Sequence, residues 1–292
     1  MIPPRWRIEG ADWPNREFSR FVTAGGVRWH VQVSGAGPVV LLLHGTGAAS
    51  HSWRDILPDL ARDCTVVAPD LPGHGFTSGL GSPTLPAMAR AVTALLAELR
   101  LEPALIAGHS AGAAIGLRMS LDHKEGGVPL VSFNGALLPF PGIAAGLFPA
   151  MAKLLFVNPL VPAIFALQAR GPGVVQGFLD RTGSKIDARG VALYTRLFRR
   201  RDHVAGALAM MANWDLAALA ADFGVVRAVV RLVYGDRDAT IPPSVAVDVA
   251  KRIVGSRTVA MPGLGHLAHE ENPAEAVRII REEIGARGRY HG

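Results

Sequence analysis

Ser110 stands at the centre of Gly108-His109-Ser110-Ala111-Gly112, a G-x-S-x-G sequence. It follows the apolar run Ala104–Ala107 and precedes the helix-like stretch Ala111–Leu121. That strand–turn–helix context lifts a serine oxygen above a sheet as a nucleophile. Glycines let the backbone turn sharply without a Cβ clash, and the following helix turns its positive end toward the serine. A serine hydroxyl needs a base to take its proton, and the base needs an acid to orient it. His266, in Gly263-Leu264-Gly265-His266 after the apolar run Thr258–Met261, is the expected base. The acid should follow Ala228–Tyr234, where Gly235-Asp236-Arg237-Asp238 offers two aspartates. Asp238 lies farther into the loop, and the aspartate not used as the acid would stabilise the turn. The oxyanion formed on attack needs backbone donors. The Ala111 amide is one, and the loop His44-Gly45-Thr46-Gly47 after Val39–Leu43 supplies the other, assigned to Thr46. His44 either supports that loop or is a structural histidine satisfied by backbone.

Other polar motifs point to structure. Asp70-Leu71-Pro72-Gly73-His74-Gly75 fits neither G-x-G-x-x-G nor a Walker sequence, so it reads as a structural loop. His266-x-x-His269-Glu270 lacks the H-E-x-x-H order and further ligands, so neither a metal nor another cofactor is expected. His269 is expected at a helix start or a pocket edge, and Trp53 in the core.

The elements that position these residues alternate. Phe18–Thr23 and Val27–Ser34 flank Gly25-Gly26 as a hairpin. Short apolar runs follow at Val39–Leu43, Thr65–Ala68, Ala104–Ala107, Val128–Phe133, Ala228–Tyr234 and Thr258–Met261. Helical patterns lie between them at Trp53–Ala61, Leu85–Leu99, Ala111–Leu121, Ser244–Val254 and Ala274–Ile284. Strands apolar throughout belong in a mostly parallel sheet covered by helices on both faces. One stretch breaks the rhythm. Residues 135–219 contain no convincing strand, only helix-like segments punctuated by Pro and Gly. They read as a helical cap inserted in a core made of residues 1–134 and 220–292. The cap is expected to roof Ser110, with an apolar lining from Leu137, Phe140, Phe148, Leu155, Phe156 and Met210.

Composition narrows the classes. Of 292 residues, 49% are hydrophobic and 18% charged, which excludes a disordered chain. The mean hydropathy of +0.26 suggests an apolar pocket or a membrane-facing patch. The net charge of +6, mostly arginine, suits a solvated surface, an anionic lipid or an acidic ligand. No helix-turn-helix, zinc finger or RNA-binding motif is present, so nucleic acid ranks last as a partner. A single cysteine, Cys64, excludes disulfides within the chain and fits a reducing compartment. The N-terminus lacks the apolar core of a signal peptide, and Pro129, Pro139, Pro141 and Pro149 break the longest uncharged stretch. A cytoplasmic protein with peripheral membrane contact is expected.

His44-Gly45, Asp70-x-x-Gly73-x-Gly75, Gly108-x-Ser110-x-Gly112, Gly235-x-x-Asp238 and Gly265-His266 together resemble the α/β-hydrolase superfamily over nearly the whole chain after the hairpin. The resemblance implies a mostly parallel eight-stranded sheet, a cap between the sixth and seventh strands, and Asp238 as the acid. The serine argues against the branches that use an aspartate nucleophile. Asp12-Trp13-Pro14-Asn15-Arg16, Arg28-Trp29-His30-Val31-Gln32, Asn134-Gly135-Ala136-Leu137-Leu138-Pro139-Phe140 and Gly263-Leu264-Gly265-His266-Leu267-Ala268-His269-Glu270 look like the magnesium chelatase accessory family of bacteriochlorophyll biosynthesis. That likeness implies a place near magnesium insertion into protoporphyrin and a contact with the chelatase.

Three functions follow. One is a serine hydrolase acting on an ester or acyl bond of a tetrapyrrole or other large apolar small molecule. Another is a non-catalytic tetrapyrrole carrier or chaperone, which would need no intact triad. The third is a generic carboxylesterase. If the ligand is a porphyrin, Arg196, Arg199, Arg200 and Arg201 are the expected rim for its propionates; otherwise they form a solvated helix end or touch anionic lipid.

Overall fold

The computed structural model describes residues 4–123, 126–139, 158 and 160–288. A hairpin opens the sheet: β1 (Ser19–Ala24) and β2 (Val27–Ser34). Six more strands follow: β3 (Val39–Leu43), β4 (Thr65–Pro69), β5 (Leu105–His109), β6 (Leu130–Phe133), β7 (Val230–Gly235) and β8 (Arg257–Met261). They form one eight-stranded sheet in the order β1-β2-β4-β3-β5-β6-β7-β8. β1 and β2 pair antiparallel, as do β2 and β4, and every later pairing is parallel.

Successive strand residues point to opposite faces, so a strand covered on both sides must be apolar at every position. β3 shows this directly. Leu41 and Leu43 enter a core cluster with Met88, Val92, Ile115 and Val249, whereas Val40 and Leu42 enter another with Leu57, Leu60, Val277 and Ile280. The short helix α1 (Pro4–Glu9) precedes the hairpin. Helices α2 (Leu57–Leu60), α3 (Leu85–Leu99) and α4 (Ala111–Asp122) separate the early strands. α3 begins at a Thr84 cap whose hydroxyl accepts the Ala87 amide, with Pro86 in its first turn.

Between β6 and β7 lie α5 (Val161–Gln168), α6 (Val174–Asp180), α7 (Ala188–Phe198), α8 (Arg201–Ala212) and α9 (Leu216–Ala221). Then come α10 (Pro243–Ala250), the short α11 (Ala268–Glu271) and α12 (Pro273–Gly288). The eight strands, their mostly parallel pairing and the helices between them agree with the sequence reading. The pattern missed α1, whose Trp6 packs against Phe21 and Phe76 beyond the sheet edge. It also read Trp53–Ala61 as one helix, where the chain forms a 3-10 turn (Ser50–Trp53) and α2. Within residues 135–219, which read as helical, residues 135–139 are non-helical, and 140–157 and 159 lie outside the described residues.

Candidate active site

The loops leaving the C-terminal ends of β3, β5, β6, β7 and β8 meet at one place, the end of a parallel sheet where ligands are usually received. Ser110 follows β5 with φ 50° and ψ −114°, a left-handed turn that L residues avoid, and α4 starts at the next residue. Gly112 makes this turn fit. A Cβ there would lie 2.1 Å from the Leu43 carbonyl oxygen, so only glycine lets α4 begin against β3. Ser110 remains half-exposed, and among the described residues its hydroxyl makes no hydrogen bond.

The loops that carry His266 and Asp238 meet. His266 Nδ1 lies 2.8 Å from Asp238 Oδ2. Asp238 Oδ1 accepts the Thr240 and Ile241 amides at 2.7 and 2.8 Å, which fixes its carboxylate. Asn134, which follows β6 with φ 48°, donates Nδ2 to Asp238 Oδ2 at 2.8 Å. Asp236 instead accepts the Gly263 amide at 2.7 Å and braces the turn. The structure therefore pairs Asp238, and not Asp236, with His266. No hydrogen bond joins His266 to Ser110 among the described residues; such contacts often tighten only when substrate binds.

The loop after β3 lies against the nucleophile turn, since a Cβ on Gly45 would come within 3.1 Å of Ser110 Cβ. Ala111, as the first residue of α4, has an amide with no partner inside the helix. Two imidazoles hold the Thr46 loop. His44 donates Nδ1–H to the Gly45 carbonyl at 2.8 Å and accepts the Leu71 amide on Nε2 at 2.9 Å. His203, on α8, donates Nε2–H to the Gly47 carbonyl at 3.0 Å and accepts the Gly75 amide on Nδ1 at 3.1 Å. Burial pushes His44 below its ordinary value and His203 down to about 4, so both stay neutral and able to do both jobs. His44 thus satisfies both sequence readings at once.

Behind His266 lies a polar cluster that spacing alone did not disclose. His109 donates Nε2–H to the His266 carbonyl at 2.9 Å, and its ring packs 4.4 Å from that of His269. His269 is fully buried on α11 and meets Ser52 Oγ at 2.8 Å. Ser52 in turn donates to Glu270 Oε1 at 2.8 Å. Tyr194 of α7 donates to the same carboxylate at 2.6 Å and Arg54 at 2.5 Å. Burial pushes the Glu270 carboxyl up, and Arg54, Tyr194 and Ser52 pull against it. This clamp joins the loop bearing His266, the chain after the Thr46 loop, and α7.

The remaining sequence-predicted residues scatter. Met210 of α8 is buried, with the Thr46 hydroxyl 3.7 Å from its sulfur. Leu137 is buried in the core, beside a small cavity shared with Asn134 and Ile241. Phe140, Phe148, Leu155 and Phe156 lie outside the described residues. The arginine cluster is largely engaged. Arg196 grips Asp12 with both terminal nitrogens at 2.7 and 2.8 Å, Arg199 donates to the Ala169 and Arg170 carbonyls, and Arg200 pairs with Asp202 at 3.0 Å.

Residues 40–279 match the family model described as the alpha/beta hydrolase family. The chain belongs to the α/β-hydrolase family. Within it, the chain is 39% identical over 269 residues to the magnesium-chelatase 30 kDa subunit of Rhodobacter capsulatus, covering 89% of this chain and 92% of that protein. It is 28% identical over 264 residues to pyrrolizixenacetamide deacetylase of Xenorhabdus hominickii, covering 89% and 96%. The fold matches that of a thermophilic esterase from Thermogutta terrifontis with a TM-score of 0.71 at 21% identity, covering 90% and 97%. The α/β-hydrolase sheet accounts for why Ser110, Asp238 and His266 reach one place from three strands.

Proposed function

We propose that this α/β-hydrolase is a serine hydrolase that cleaves an ester or related acyl bond, with Ser110 as nucleophile, His266 as base and Asp238 as acid. The observation that carries the reading is the 2.8 Å contact between His266 Nδ1 and an Asp238 carboxylate fixed by two loop amides, next to a serine on a left-handed turn. Ser110 Oγ attacks the carbonyl carbon while His266 Nε2 takes its proton. Asp238 holds the imidazole in the tautomer that makes this transfer possible. The Thr46 and Ala111 amides stabilise the oxyanion. His266 returns the proton to the leaving alcohol, and water then releases the acid from Ser110 by the same steps.

Residues 135–219 act as the cap, and their apolar side chains receive a large apolar small molecule. The substrate class is a tetrapyrrole ester, which the likeness to a magnesium-chelatase subunit supports, and a contact with the chelatase belongs to the same reading. That likeness also favours a second reading, a carrier that hands a tetrapyrrole to the chelatase without turnover. A fluorophosphonate probe separates the two. The hydrolase reading expects stoichiometric labelling at Ser110 and turnover of a p-nitrophenyl ester. An unlabelled, folded protein that binds protoporphyrin would leave only the carrier. Turnover of simple esters without saturable porphyrin or porphyrin-ester binding would leave a generic carboxylesterase.

A further inference from the structure

Apolar surface is not spread evenly over this molecule. Among the described residues eleven large hydrophobic side chains are exposed, and six of them lie between residues 160 and 178. They are Leu160, Ile164, Phe165, Leu167, Val174 and Phe178, each between 47% and 63% exposed. Scattered exposed leucines need no explanation, but a concentration on two consecutive helices does.

Packing does not account for it. α5 reads Val-Pro-Ala-Ile-Phe-Ala-Leu-Gln, without a charge, and buries only Pro162 and Ala166. α6 divides by helical period. Val175 and Leu179 turn inward onto Ala48, Tyr194 and Leu267, whereas Val174 and Phe178, one turn apart, face out, Phe178 with one side against the Phe198 ring at 5.5 Å. A helix pair that needed only to cover the core would carry polar residues at those outer positions.

The charges beside this face have one dominant sign. Arg170 follows α5, Arg181 is the C-cap of α6, and Lys185 and Arg189 come next; all four are exposed. Among the described residues none of their side chains makes a hydrogen bond or ion pair. The exposed carboxylates of the same stretch are occupied: Asp180 accepts Gln176 at 2.7 Å, and Asp187 caps α7 and pairs with Arg54. An apolar face bordered by free cations is complementary to a bilayer leaflet with anionic headgroups, where the cations reach the phosphates and the apolar side chains the acyl boundary. A second copy of this chain would bring the same cations against each other across a two-fold axis.

We propose that the face of α5 and α6 docks on an anionic lipid surface, with Phe165 and Phe178 entering the headgroup–acyl boundary. The site lies close behind it. Immediately after α6, the Thr182 carbonyl accepts the amides of both Ala239 and His266, at 3.1 and 3.2 Å, and Ser184 Oγ accepts the Leu267 amide at 2.8 Å. Docking there would place the proposed cap against the membrane, within reach of apolar substrates dissolved in it.

Flotation of the full chain with vesicles tests this, using phosphatidylcholine alone and an equal mixture with phosphatidylglycerol. The expected result is flotation with the anionic vesicles, weakened by salt. Phe165→Ser with Phe178→Ser should lower the apparent affinity by at least about tenfold, since each change removes an inserted aromatic ring. Arg170→Gln with Arg181→Gln should lower it by roughly fivefold or more per charge. The altered side chains are exposed, so circular dichroism and the melting midpoint should stay close to those of the unaltered protein. If the phenylalanine pair melts early, Leu160→Ser with Leu167→Ser serves as the second variant. Absence of flotation with anionic vesicles overturns the proposal, as does flotation undiminished in every variant. Self-association in sedimentation velocity, abolished by the serine variants and without flotation, would overturn it in favour of a second copy.

Discussion

This molecule contains the Ser–His–Asp combination twice. At the proposed site His266 Nδ1 lies 2.8 Å from Asp238, and Ser110 sits on the turn beside them. Far along the sheet, His30 Nδ1 lies 2.8 Å from Asp70 Oδ2, and His30 Nε2 lies 3.0 Å from Ser19 Oγ. The aspartates are alike as well. Asp70 accepts the Ser50 and Phe76 amides at 2.7 and 2.8 Å, as Asp238 accepts two amides of its own loop. By hydrogen bonding alone the second set is the more complete triad. It lacks everything else. Ser19 has extended backbone at φ −75°, its strand is paired along β2, and no helix starts behind it to supply an oxyanion donor. His30 is fully buried among Trp6, Phe21 and Phe76. A triad is therefore better recognised by a strained, reachable serine beside free backbone donors than by the hydrogen-bonded chain alone.

The comparison breaks most sharply at the serines. Ser110→Ala should lower ester turnover by a factor on the order of 10⁵ or more, with the melting midpoint unchanged. Comparable turnover by that variant would mean that another group is the nucleophile. The aspartates should divide by function. Asp238→Asn should lower kcat by about a factor of 10⁴ with little loss of stability, because the imidazole is left in the wrong tautomer. Asp70→Asn should instead cost roughly 3 kcal/mol of stability in urea unfolding, while the folded fraction keeps its kcat. Burial alone would raise the Asp70 carboxyl, but His30 and His44 hold it well below the usual range. Equal losses of kcat from the two asparagine variants would erase the distinction.

Acid should act on the frame. The folded protein holds His203 at about 4, chiefly through burial, while an unfolded histidine titrates near 6.5. The unfolded chain therefore binds a proton that the folded chain excludes. The resulting stability, up to roughly 3 kcal/mol from this residue, is fully present above about pH 6.5 and is lost as the pH falls toward 4. His44, His51, His74, His109 and His269 are lowered by burial too and add loss of the same sign. Melting curves should show the midpoint falling through that window, with a shallower slope in His203→Gln. A flat profile would contradict it. Asn134→Ala should reduce kcat by about tenfold, since it removes a charge-assisted bond to Asp238 from outside the loop. The smallest effect belongs to Ser19→Ala: about 1 kcal/mol of stability and less than a twofold change in turnover.

Much of this arrangement was legible in order and spacing, because the relevant constraints are local. The apolar runs mark strands covered on both faces, and the glycines around Ser110 mark a close approach of backbone. The choice between Asp236 and Asp238 needed family likeness, since either can follow a strand; the structure separates them by what each accepts. Other features were illegible because their partners are distant in the chain. Glu270 is held by Arg54 and Tyr194, Asn134 by Asp238, and His30 by Asp70. Asn134 did leave one trace, a strand end at one of the few residue types besides glycine that tolerate a left-handed backbone. The sequence places His269 at a helix start, which α11 bears out, but its burial under the rings of Trp53, His109 and Phe133 comes from contacts that no local pattern encodes.

The Thr182 carbonyl has a mechanical consequence. It receives the amides of both Ala239 and His266, and Gly265 packs so tightly on Gly183 that a Cβ there would lie 2.3 Å from the Gly183 carbonyl carbon. The loops that carry Asp238 and His266 are thus pinned to one point of the chain between α6 and α7. A displacement of residues 182–184 would therefore draw on both loops at once. α7 and α8 are tied to the core in their own right, through Tyr194 on Glu270 and His203 on the Gly47 and Gly75 backbone. An engineer who shortened or exchanged the helices between β6 and β7 would have to keep Thr182-Gly183-Ser184 in place, because these three residues hold the loops that carry Asp238 and His266.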